Sequence, residues 1–96
     1  MSELVVGAVQ MTSSDNVESN LERASDLVRE AASAGALLVG LPENFAYLGD
    51  DRDHRLSIAE TLPSLVPGEP GAPPAVGPIL SAMRELARGA GTWLLT

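Results

Sequence analysis

The chain contains no cysteine and no lysine; all six of its basic residues are arginines. Without cysteine there can be no disulfide, no thiolate metal site and no sulfur nucleophile within these residues. Aromatic residues are scarce as well. Phe45, Tyr47 and Trp93 are the only ones, so a core has to be assembled from Leu, Val, Ile and Ala. Positive charge is outweighed to a net −7, which argues against nucleic acid or an anionic membrane as partner, because phosphate binding is driven by Lys and Arg. No apolar run reaches the roughly 20 residues of a membrane span. The start, Met1-Ser2-Glu3, is acidic where a secretory signal would be basic. A soluble, cytoplasmic protein is expected.

What remains is a hydrophobic content of 45% in 96 residues, enough for one small core and at most one domain. Leu4 to Val9 is an apolar, β-branched run without alternation, the pattern of a strand covered on both faces. Thr12 to Asn16 is a polar turn, and Asp15 with Glu18 has the spacing of a capping box. Val17, Leu21, Ala24, Val28 and Ala31 then recur at steps of four and three, one face of a helix, with Gly35 as its stop. Ala36 to Leu41 is a second strand of the buried type, closed by Pro42. These elements make a β-α-β unit, whose crossover is right-handed.

Further on, Asp50-Asp51-Arg52-Asp53 is a charged surface stretch, and a short helix is expected over 52–60. Pro63, Pro67, Pro70, Pro73, Pro74 and Pro78, interleaved with Gly68, Gly71 and Gly77, cannot hold a regular element, so about 62–78 reads as a Pro/Gly-rich insertion. Pro78 suits a first helical position. Ile79, Leu80, Met83, Leu86 and Ala87 mark the buried face of a helix ended by Gly89 and Gly91, and Thr92 to Thr96 reads as a third strand. Domains rarely stop within a core strand, so the chain is expected to be the N-terminal part of a longer domain, truncated in that strand. The fold class is α/β, in the order β-α-β-loop-α-β.

In open α/β sheets, ligands bind at the carboxyl ends of the strands. Gln10-Met11 and Pro42-Glu43-Asn44 are placed there. Partial burial of Glu43 would strengthen it as a general base; the alternative is a solvated residue capping the next turn. His54 lacks partners in a charged stretch and reads as solvated. Asp50, Asp51 and Asp53 lack the glycine and terminal glutamate of a calcium loop. Phe45 and Tyr47 are equally compatible with lining a pocket mouth and with packing the loop on the sheet.

Three segments together carry a resemblance: Val5 to Met11, Asn20-Leu21, and Ala34 to Phe45 with its Leu41-Pro42-Glu43-Asn44 core, followed in register by Gly91 to Leu95. In this pattern the chain resembles the opening of the nitrilase superfamily of carbon–nitrogen hydrolases. The resemblance implies an α-β-β-α sandwich and a Glu-Lys-Cys triad, in which a cysteine attacks a small-molecule amide or nitrile, a thioester forms and water hydrolyses it. Glu43 matches the glutamate, the general base. The lysine and cysteine lie further along in that family than these residues reach. It implies no cofactor and no metal; a homo-oligomer is expected. Glu43 to Gly49 with Leu56 to Glu60 looks most like the small amidases acting on deaminated glutathione, and next like ω-amidases. Two other classes remain: a β-α-β nucleotide-binding half-domain, which lacks a glycine-rich loop after the first strand, and a non-catalytic remnant that pairs with the rest of a hydrolase.

Overall fold

A computed structural model describes residues 3–60 and 77–96 of the chain. Most of the Pro/Gly-rich insertion falls outside the described residues. The elements run β1 (Val6–Ala8), α1 (Val17–Ser33), β2 (Leu38–Gly40), α2 (Arg52–Ser57), α3 (Pro78–Ala90) and β3 (Trp93–Leu95). The three strands form one parallel sheet in the order β1-β2-β3. The mixed α/β class and the β-α-β unit are therefore as expected, and α2 is the short helix expected from residue 52. That helix stops at Ser57 instead of running to residue 60. The strands are shorter than their apolar runs, although Leu37 N–H to Val5 O and Val9 N–H to Gly40 O continue the ladder beyond them (both 2.9 Å).

Helix α1 begins one residue later than the capping-box spacing suggested. Asn16, not Asp15, is its N-cap and accepts from the Ser19 N–H at 3.0 Å. The helix therefore opens at Val17, which puts Ser19 and not Glu18 at the third helical position, so no reciprocal box forms. Gly35 follows the helix end at φ +100, a conformation in which a side chain would be strained. At the end of α3 it is Gly91 that takes the left-handed conformation (φ +67), while Gly89 lies inside the helix.

Parallel register sets Gly7, Val39 and Leu94 side by side on one face. That face meets Ala24 and Val28 of α1 and Met83 and Leu86 of α3, with Ala36 and Phe45 completing the core. Helix α1 comes close at Gly7, where an added Cβ would lie 3.1 Å from the Ala31 Cβ. Gly7→Val should therefore cost about 1–3 kcal/mol by overpacking, read as a lower urea midpoint. Gly40→Ala, whose Cβ would meet nothing within 4 Å, should hardly change it.

The opposite face differs from the sequence expectation of strands covered on both sides. Val6, Trp93 and Leu95 are largely exposed there, Trp93 to 79%. Helices α1 and α3 cover one face only, and among the described residues nothing covers the other.

Candidate functional site

Sheet and helix together place three segments at the carboxyl ends of the strands: Val9-Gln10-Met11, Leu41-Pro42-Glu43-Asn44, and Thr96. Gln10 is exposed, and Met11 and Leu41 pack against the core. After β2 the chain turns sharply. The Phe45 N–H donates to the Pro42 carbonyl at 3.1 Å, which leaves Glu43 and Asn44 at the tip of the turn, both exposed. The partial burial expected of Glu43 is thus not seen. Pro42 and Phe45 are drawn toward the core, and the two residues between them face outward. Among the described residues no hydrogen bond or ion pair engages the Glu43 carboxylate.

Beneath the tip, the turn is anchored on buried groups. Phe45 belongs to the core cluster, which favours its packing role over a place at a pocket mouth. Its carbonyl accepts from Ser13 Oγ at 2.9 Å. Tyr47 is buried too; its hydroxyl lies 3.4 Å from the Asp51 carbonyl, and its ring tilts against His54 at 5.1 Å. His54 is exposed on α2, and Asp51 is that helix's N-cap, accepting from the His54 N–H at 3.0 Å. These residues are occupied in holding the loop and are not gathered around Glu43.

Two polar residues to which the sequence alone assigned no individual role carry much of the local order. Asn20 is only 3% exposed and bridges the loops after β1 and β2. Its signal was its place on the buried stripe of α1, one helical turn before Ala24 and two before Val28. Glu60 ends the stretch after α2, and its two carboxylate oxygens accept from the Ile79 and Leu80 N–H groups at 2.7 and 2.8 Å. These are orphan donors of the first turn of α3, where Gly77 offers no side chain to satisfy them. Nothing in the spacing of Glu60 and Ile79, either side of the Pro/Gly-rich stretch, marks this pairing.

A cleft of about 820 Å³ among the described residues lies away from Glu43, between the start of α1, α2 and the start of α3. Glu60 and Gly77 are among its lining residues. A smaller apolar hollow of about 190 Å³ lies among Phe45, Ile58, Ile79, Leu80, Met83 and Thr96.

Residues 5–96 match the carbon–nitrogen hydrolase family. The chain belongs to that family. Among curated carbon–nitrogen hydrolases, the deaminated glutathione amidase of Synechocystis sp. (strain PCC 6803 / GT-S) is 47% identical over 53 residues, which is 55% of this chain and 20% of that protein. The deaminated glutathione amidase of Homo sapiens is 33% identical over 90 residues, or 94% of this chain and 24% of that protein. That of Bos taurus is 35% identical over 94 residues, 97% of this chain and 25% of its own length. The chain thus spans about a fifth to a quarter of the carbon–nitrogen hydrolases it matches. Among the described residues no helix is long and apolar enough to cross a membrane.

Proposed function

We propose that these residues are the N-terminal, glutamate-bearing part of a single hydrolase domain that cleaves a small-molecule amide, with Glu43 as the general base. The observation that carries the reading is the placement of Glu43. It stands at the carboxyl end of the central strand of a parallel sheet, on a tight turn, with an exposed carboxylate. A base must reach the proton it takes, and a carboxylate held out from the strand ends is free to do so. Glu60, by contrast, has both oxygens committed to α3.

In the proposed reaction Glu43 takes the proton of a cysteine thiol, and the thiolate attacks the amide carbon. The resulting oxyanion is stabilised by a lysine ammonium. Collapse of the intermediate breaks the C–N bond, ammonia or an amine leaves with the proton, and a thioester remains. Water, deprotonated by Glu43, then releases the acid. Neither a thiol nor a lysine ammonium exists in the 96 residues, so both must come from residues beyond them. The sandwich arrangement belongs to the same proposal, supported by the apolar face of the sheet that α1 and α3 leave open. The similarity to deaminated glutathione amidases favours an amide of that kind over a nitrile.

The chain by itself should release no ammonia from a panel of ω-amides above background, because a base without its nucleophile leaves nearly all of the rate unrealised. Ammonia release that scales with chain concentration and survives Glu43→Ala would overturn the triad reading.

A further inference from the structure

The Glu43 turn is held by a side chain from another element. Asn20 lies on α1, whose other inward residues, Ala24 and Val28, are apolar. Its carboxamide is fully used. Nδ2 donates to the carbonyls of Ser14 and Ala46, each at 2.8 Å, and Oδ1 accepts from the Ser14 N–H at 2.9 Å. Ser14 belongs to the loop after β1, and Ala46 follows the turn after β2. The same two loops are joined by Ser13 Oγ donating to Phe45 O and by the Leu48 N–H donating to Ser14 O, both 2.9 Å.

We infer that Asn20 is a positioning residue for Glu43: its buried carboxamide locks the loop after β1 to the loop after β2 and thereby fixes the turn on which Glu43 stands. The importance of that turn to catalysis rests on the general-base reading; the mechanical link does not. Position along the chain explains the choice of residue. Two carbonyls and one N–H converge where Asn20 points, so the site needs two donors and an acceptor in one short planar group, which asparagine supplies. Alanine would leave the Ala46 carbonyl and the Ser14 N–H without this partner, and the Ser14 carbonyl with the Leu48 N–H alone. Aspartate has the same shape but is acceptor-only when ionised, and would set a carboxylate oxygen against two carbonyl oxygens. Leaving buried polar groups without partners costs far more than the net worth of the bonds themselves.

This separates a donor role from simple space filling. Asn20→Ala and Asn20→Asp should both loosen the loop, whereas space filling alone would make the aspartate variant behave as the wild type. The readout can be placed on Glu43 itself. A protease that cuts after glutamate must open the Pro42–Phe45 turn to cleave the Glu43–Asn44 bond, while cleavage after Glu30 in the last turn of α1 or after Glu85 in α3 reports opening of the helices. In the 96-residue chain, Asn20→Ala and Asn20→Asp should speed cleavage after Glu43 about 10–100-fold and leave the rates after Glu30 and Glu85 within about twofold. Ser13→Ala, which removes one tie and leaves α1 untouched, should give a smaller rise at the same bond. The inference is overturned if both Asn20 variants and Ser13→Ala leave the Glu43 rate unchanged, if Asn20→Asp matches the wild type, or if cleavage rises equally at all three glutamates. Because turnover is not measured, a failure of Glu43 as base would leave this result unaffected. Loss of the mechanical link would equally leave the base reading standing.

Discussion

Glu43→Gln should lower amide turnover about 10²–10⁴-fold, the range usual for loss of a general base, in a polypeptide that joins these residues to the thiol and ammonium of a carbon–nitrogen hydrolase. Glutamine keeps the size of the side chain and removes its capacity to take a proton. The turn itself should be indifferent to the change. It is closed by main-chain atoms of Pro42 and Phe45, and the carboxylate is exposed, so stability should stay within about 0.5 kcal/mol, as for other surface substitutions. Glu60→Gln is the informative comparison. Its side chain holds two N–H groups of α3, and an amide supplies only one acceptor oxygen, so that variant should lose stability while chemistry persists. Steady-state kinetics beside urea denaturation would separate the two. A Glu43→Gln enzyme retaining most of its turnover would return Glu43 to the role of a solvated turn residue.

These two glutamates also show what the sequence could and could not disclose. Glu43 was legible because it follows an apolar run and a proline, so its address at the end of a strand comes from the chain order itself. Its exposure was not, because the direction of a turn depends on which neighbours are pulled inward. Here Phe45 is buried and Glu43 is lifted out. The role of Glu60 was hidden for a different reason: its partners are main-chain N–H groups beyond a stretch with no periodicity, and no spacing rule links them. Asn20 lay between these cases. A polar residue on an otherwise apolar stripe announces a buried hydrogen-bond network, but not the identity of the loops it joins. The cap of α1 moved from Asp15 to Asn16 because both side chains can cap, and only the helix register decides.

The chain by itself should not behave as a monomer in solution. Apolar runs such as Leu4 to Val9 read the same whether their second face is covered by the same chain segment or by something else, and here α1 and α3 supply only one cover. On the open face Leu4, Val6, Trp93 and Leu95 are each at least 60% exposed. Burying one such side chain is worth about 1.5–3 kcal/mol, and these side chains share one face, where contiguous apolar surface favours association. Both β1 and β3 are also edge strands of the described sheet, and edges offer main-chain groups to a second copy. The net charge of −7 opposes association, and salt screens that repulsion. Association should therefore strengthen from low to physiological ionic strength. Trp93→Ser should weaken it about 10–100-fold, the equivalent of one lost burial, and Val6→Arg with Trp93→Arg should shift the chain toward monomer by placing like charges on facing copies. Light scattering with an ionic-strength series reads all three outcomes. A monodisperse 10.0 kDa species that unfolds in one sharp transition would show that the face is tolerated in water, and the need for a covering layer would then be withdrawn.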